Sequence, residues 1–148
     1  MRKATGAPRG AILGSCMGGT LAGIPAALHP DEVAGLINLA GPFDFAHGGF
    51  LAEMVNARYF DASAIAAAGN VSPMQMQSGF TALRPTASLA KWLGYAEKAG
   101  DPAAREAFEA LEAWASDNIP FPGAAYQTYI RDQYQDNALV AGRHHVAG

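Results

Sequence analysis

The feature that most constrains this chain is Gly14-Ser15-Cys16-Met17-Gly18-Gly19, a crowd of small residues around one thiol at the end of an apolar run. Ala11-Ile12-Leu13-Gly14 reads as the end of a buried strand, and Met17 to Leu28 as a buried helix of small apolar residues. A residue at the point of a tight strand-to-helix turn needs small neighbours, because the strained backbone brings them into close approach. Gly14 stands two residues before Cys16 and Gly18 two after, the spacing such a turn requires. The helix is expected to stop at His29-Pro30, since the residue before a proline is pushed out of the helical region. Pro25, inside it, removes a backbone donor and is expected to kink it. Val33 to Ala40, with Leu36-Ile37-Asn38-Leu39, is a second buried-strand candidate closed by Gly41-Pro42. Strand, helix, strand in this order predicts a parallel sheet and an α/β fold.

From about Ala46 onward no strand-like run recurs, and helical periods separated by Gly and Pro take over. Phe50 to Tyr59 is one expected helix, and Ser88 to Ala99, with Leu89, Trp92, Leu93 and Ala96 on one face, is another. Asp101-Pro102 supplies an N-cap and first-position proline for Ala103 to Ser116. There Phe108, Leu111 and Trp114 or Ala115 share a stripe expected to be buried, opposite Arg105, Glu106, Glu109 and Glu112. After the break at Asp117 to Gly123, Tyr126, Tyr129, Ile130 and Tyr134 resume the helical period to about Asn137. The reading is a partial α/β core over residues 1–45 and an all-helical insertion over 46–148.

Composition limits the function classes. With 50% hydrophobic and 16% charged residues the chain is a globular protein rather than a disordered one. A net charge of −3 and ten scattered basic residues give no field to collect phosphates, so nucleic acid is not the expected partner. No apolar run approaches the roughly 18 to 20 residues needed to span a bilayer. No signal peptide is read at Met1-Arg2-Lys3, because Thr5 to Arg9 stand where its apolar core belongs. The single cysteine cannot form an internal disulfide, which makes the cytoplasm the natural compartment and leaves Cys16 free to react.

Two readings of Cys16 compete on the residues alone. A lone cysteine among glycines is commonly a small buried packing residue. As a nucleophile, it would sit at the head of a helix whose unpaired N–H groups and partial positive charge favour a thiolate. The Met17 backbone N–H would then be one oxyanion-hole donor, a type of contact whose loss typically costs about 3–4 kcal/mol of transition-state stabilisation.

Beyond the turn, the residues carry a longer likeness. Gly14-Ser15-Cys16-Met17-Gly18-Gly19-Thr20 resembles the G-x-C-x-G-G box of the polyhydroxyalkanoate synthases, acyltransferases of the α/β-hydrolase superfamily. Ala26-Ala27-Leu28-His29-Pro30 is similar to that family's helix end, and Gly41-Pro42-Phe43-Asp44-Phe45 to the turn after its next strand. Gly69 to Pro73, Leu83-Arg84-Pro85, Trp114 with Asp117 to Pro120, and Asn137-Ala138-Leu139 resemble successive landmarks of its helical cap. The likeness runs from about Pro8 to Gly148 in the family's order.

The resemblance implies a partial α/β-hydrolase fold with a nucleophile elbow and a helical cap. It implies that Cys16 takes the acyl group of a 3-hydroxyacyl-CoA and passes it to the hydroxyl of a growing polyester, with CoA thioester as substrate and no cofactor or metal. In the family the acid and histidine follow the cap, on strands this sequence does not contain, so the chain is expected to be a fragment, inactive alone. Of its four histidines, His29 is expected to end the helix, His47 to lie in a turn, and His144-His145 to follow Asp136 in the right order without a strand to place them. Asp44 is expected to cap its turn. A homodimer, a second synthase subunit and a polyester granule surface are the implied partners. The alternatives are a thioesterase or esterase of the same fold, and a non-catalytic module that binds a partner or a granule.

Overall fold

Two strands and the helix between them carry the turn at Cys16. The structure, a computed structural model, describes residues 5–146. Strand β1 (Gly10–Ser15) and strand β2 (Val33–Leu39) pair in parallel, joined by helix α1 (Met17–Leu28). Ile12 lies opposite Leu36, Leu13 opposite Ile37, Gly14 opposite Asn38 and Ser15 opposite Leu39, after an irregularity between Gly10 and Ala11. The expected strand–helix–strand unit and parallel pairing are therefore present. Arg9 fastens the connection into β2, its guanidinium donating to the carbonyls of Pro30 (3.2 Å) and Val33 (2.6 Å).

Helix α1 runs unbroken through Pro25 to Leu28. The amide of His29 donates to the Pro25 carbonyl at 2.9 Å, so the last turn stays closed behind the proline. The strands are less buried than their composition predicts. Alternation sends Gly14 inward, and leaves Leu13 66%, Ile37 55% and Leu39 59% exposed. That pattern fits strands built for cover on both faces. Here α1 is the helix that packs on them.

The chain divides into two compact units, one comprising residues up to Gly49 together with the segment from Asn137 onward, the other Phe50–Asp136. The sequence reading divides the chain once, at 45/46. The structure divides it after Gly49 and again before Asn137, because Asn137 bonds to the turn at residues 44–45. Its Oδ1 accepts the Phe45 N–H at 3.0 Å, and its Nδ2 donates to Asp44 Oδ1 at 2.8 Å. In the first unit Phe45 and Thr20 are each 1% exposed, with Ala22 and Ala138 also buried.

The longer elements of the second unit are all helices: α2 (Gly49–Met54, whose first residue belongs to the first unit), α3 (Ala62–Ala67), α4 (Pro73–Leu83), α5 (Ala87–Lys98), α6 (Pro102–Ser116) and α7 (Gly123–Tyr129), which continues as a π-helical turn over Ile130–Gln135; an antiparallel bridge pairs Val71 with Phe121. The helix expected over Phe50 to Tyr59 ends at Met54. Asn56 takes over the backbone there, its Oδ1 accepting the Arg58 N–H at 3.0 Å and its carbonyl the amides of Tyr59 and Phe60. Helix α4, which the periodicity did not reveal, is set by a capping box in which Ser72 and Gln75 satisfy each other's backbone amides. Asp101 and Pro102 start α6 as expected, with Asp101 Oδ1 accepting the Ala103 amide at 3.0 Å.

The core of this unit gathers Val55, Ala62 and Ile130, with Phe60, Tyr126 and Tyr134 packed against it. Gln135 closes it by donating to the carbonyls of Val55 (2.9 Å) and Phe60 (3.1 Å). The expected buried stripe of α6 is a correction. Leu111 is 58% and Trp114 77% exposed, while Phe108 is half-buried against the rings of Tyr95 and Trp92 on α5. Lys91 and Glu112 add an ion pair at 2.7 Å between the same two helices.

Candidate active site

Cys16 occupies the single residue between β1 and α1, with φ 53° and ψ −129°. A residue with a Cβ rarely adopts this backbone, at a cost of about 1–3 kcal/mol, and it persists only where its surroundings over-determine it. The surroundings are visible. The Cys16 amide donates to the Leu39 carbonyl at 2.9 Å, and the Cys16 carbonyl accepts the Gly19 amide at 2.8 Å. A Cβ added at Gly14 would collide with the Gly18 carbonyl, and one added at Gly41 would lie 2.7 Å from the Cys16 carbonyl oxygen. Gly14 and Gly41 are thus two of the glycines that let strand, turn and helix approach. Gly18 is different: a Cβ there would meet nothing within 4 Å.

The thiol is exposed and makes no capping bond to the helix it heads. Met17 is the first residue of α1, so its amide has no acceptor within the helix, and Cys16 and the Met17 N–H stand together at the positive end of the α1 dipole. The packing reading of Cys16 gives way to an exposed thiol on a strained turn.

Behind the turn the chain from Asn38 to Phe45 forms a brace. Asn38 Oδ1 accepts the Gly41 amide (2.8 Å) and its Nδ2 donates to the Gly41 carbonyl (2.7 Å), holding Ala40 at φ 57°. Thr20 Oγ1 donates to the Pro42 carbonyl at 2.6 Å and ties α1 to the same loop. Asp44 caps the short 3₁₀ turn at Phe45–His47, its Oδ1 accepting the Ala46 amide at 3.1 Å, as expected. Asn38 and Asn137 are the residues whose roles sequence reasoning missed. Asn38 was hidden inside a strand, although an Asn three residues before Gly41-Pro42 is a local signal of a side chain closing a turn. Asn137 stood as a landmark of the helical part, and its partners lie 92 and 93 residues away.

His29 closes the far end of α1, which at 1.5 Å per residue lies roughly 18 Å from Cys16. His144 borders an apolar groove of about 360 Å³ along the C-terminal half of α1, with Ile24, Leu28, Phe43 and Leu139. His47 Nε2 stands 3.8 Å from Asp44 Oδ2, and His145 is exposed. Among the described residues none of the four is bonded to Cys16. Nor do three or more His, Cys, Asp or Glu side chains gather there as a metal site. No helix of the described residues is long and apolar enough to cross a membrane.

Two measurements check this geometry. Cys16→Gly is expected to be about 1 kcal/mol more stable than Cys16→Ala in urea unfolding, since glycine adopts the turn freely but loses about 0.5–1 kcal/mol of chain entropy. Equal midpoints would mean that the turn is not strained. The hydrogen bonds from Asn137 and Ala46, together with nearby His47, hold the Asp44 carboxyl below the usual carboxylate range. A lowered pKa contributes stability above the unfolded value, lost as pH falls through the folded one. The turn is therefore expected to hold at neutral pH and loosen only below the ordinary range of an aspartate. Exchange of the Ala46 amide against pH reads this directly, and loosening that begins near neutrality would contradict it.

The profile of the α/β-hydrolase fold family matches residues 1–141. Among curated proteins, the chain is similar to the poly(3-hydroxyalkanoate) polymerase subunit PhaC of Haloarcula marismortui, 34% identical over 86% of this chain and 28% of that protein. The subunit of the same name from Rhizobium meliloti is 33% identical over 100% of this chain and 25% of its own length. That of Allochromatium vinosum is 28% identical over 96% of this chain and 40% of its own. The chain thus spans between a quarter and two fifths of these relatives. No solved structure matches it. The strand–elbow–helix geometry and the matched profile agree: this chain belongs to the α/β-hydrolase fold family and resembles the polymerase subunits of poly(3-hydroxyalkanoate) synthesis over most of its length.

Proposed function

We propose that Cys16 is the nucleophile of an acyltransferase that polymerises 3-hydroxyacyl-CoA into polyhydroxyalkanoate. The observation that carries this reading is the exposed thiol at φ 53°, alone between a strand and the amide-rich head of α1. Similarity to polymerase subunits supports the substrate class. In the first step Cys16 Sγ attacks the thioester carbonyl, the Met17 N–H stabilises the oxyanion, and the bond to CoA breaks, with CoA leaving as its thiol. Exchange of one thioester for another is nearly balanced in energy, so the acyl group stays activated until a hydroxyl of the growing polyester attacks it. A serine ester would hold the group more stably and slow that onward step.

No histidine of the described residues is taken as the base that deprotonates Cys16, since none is bonded to the thiol. On this reading the span alone forms the acyl-enzyme slowly and does not turn over. Granule association, a second copy or a second subunit belong to the same proposal, as does a cytoplasmic location.

Intact-mass analysis after incubation with 3-hydroxybutyryl-CoA tests the assignment. One 3-hydroxybutyryl group is expected on the wild-type chain and none on Cys16→Ala. Acylation that survives in Cys16→Ala would sink the assignment. In a protein of the relatives' length, CoA release with polymer marks a synthase, whereas CoA release with free hydroxy acid marks a thioesterase.

A further inference from the structure

The brace behind Cys16 is anchored from far along the chain. Cys16 rests on Leu39 and Gly41, Pro42 is tied to α1 by Thr20, and the segment then enters the turn at Asp44–Phe45. A distant side chain reaches that turn. Asn137 bonds the Phe45 amide with its oxygen and the Asp44 carboxylate with its nitrogen, and so uses both ends of one amide on adjacent residues. Its own backbone has φ 46°, in the left-handed region that Asn tolerates better than other residues with a Cβ. Phe45, whose backbone amide the clamp holds, is 1% exposed.

We propose that Asn137 is a positioning residue for the elbow. Through Asp44 and Phe45 it holds the Gly41–Pro42 segment against the Cys16 carbonyl, and thereby fixes where the thiol points. The proposal takes its catalytic meaning from the nucleophile reading above, but the geometry it predicts is measurable without catalysis. A side chain needed only to fix the segment from Asn137 onward would leave Cys16 unaffected. A positioning residue transmits its loss along residues 45, 42 and 41 to the turn, where a small misplacement carries a large penalty in rate.

Amide hydrogen exchange and the acylation rate of Cys16 by 3-hydroxybutyryl-CoA are measured on the whole chain for wild type, Asn137→Ala and Asn137→Gly. The glycine variant keeps the left-handed backbone accessible and removes only the clamp. Both variants are expected to speed exchange at Phe45, Gly41 and Cys16 together, and to slow acylation roughly tenfold or more. Asn137→Asp is a third variant: it keeps an acceptor for the Phe45 amide but sets two carboxylates face to face, and it is expected to lose both protection and acylation.

Faster exchange confined to Phe45, with Gly41, Cys16 and acylation unchanged, would overturn the proposal and leave the nucleophile standing. So would an Asn137→Asp chain that keeps wild-type protection at Gly41 and Cys16 and wild-type acylation. A wild-type chain that is not acylated at Cys16, but whose Gly41 and Cys16 amides still respond to Asn137→Gly, would sink the nucleophile reading and leave the positioning role intact.

Discussion

Gly14→Ala is expected to prevent the elbow from closing. The added methyl would be driven into the Gly18 carbonyl, with that peptide's carbon and the Gly19 Cα within 2.7 Å behind it. All three are backbone, on the first turn of α1, so no side chain can swing away to make room. Overpacking that flexible neighbours absorb costs about 1–3 kcal/mol, and a rigid one exceeds that range. A loss of about 3 kcal/mol or more is expected, against a total stability of about 5–15 kcal/mol for an ordinary domain. Urea unfolding of the unit that holds the elbow checks the number, and the acylation rate of Cys16 is expected to fall with it. Gly18→Ala is the control, because its methyl would point into open space. If the two variants unfolded at the same urea concentration, the close approach of α1 to β1 would be wrong.

That contrast marks what was legible in the sequence. The spacing Gly14-x-Cys16-x-Gly18 was read as one requirement, yet the crowding falls on Gly14, Gly19 and Gly41. A Cβ at Gly19 would meet Asn38 Oδ1 and, at 3.0 Å, the Gly41 Cα. The elbow was legible because every determinant of its existence lies within ten residues: an apolar strand, small residues at the turn, an apolar helix. Its bracing was not, because Asn38, Gly41 and Asn137 act across the fold and their partners depend on strand pairing and chain return. Periodicity likewise showed which face of α5 and α6 is apolar without showing what that face meets. Phe108 found Tyr95 and Trp92, whereas Leu111 and Trp114 face outward. The end of α2 was missed for a local reason: Asn56, two residues past Met54, offers the backbone a competing acceptor, and a hydrophobic pattern does not register that competition.

The strained turn and its braces form one energetic unit. A backbone that costs about 1–3 kcal/mol at Cys16 is offset by bonds on either side of it, and each brace is itself a left-handed or glycine-dependent turn. Ala40 at φ 57° is held by both ends of the Asn38 amide, and Asn137 at φ 46° holds Asp44 and Phe45 with both ends of its own. Strain in the elbow is therefore supported by polar clamps rather than by a deep apolar core, which fits the small number of fully buried side chains around it.

Phe45→Ala tests how much the one large apolar anchor adds to those clamps. Phe45 is 1% exposed, the largest fully buried side chain of the described residues, and it sits between the Asp44 cap and the Asn137 bond. Removing a buried phenylalanine ring costs about 3–5 kcal/mol, the transfer free energy of the ring plus the cavity left behind. Its backbone amide keeps its acceptor in the variant, so the polar clamp remains and the loss reads the ring alone. Urea unfolding followed in the unit containing β1, α1 and β2 is expected to show this loss. Because the ring lies on the path from Asn137 to the elbow, exchange at Gly41 and Cys16 should quicken as well. A cost below about 1 kcal/mol would be too small for a buried ring and would leave the hydrogen bonds of Asn38, Thr20 and Asn137 as the whole support of the strained cysteine.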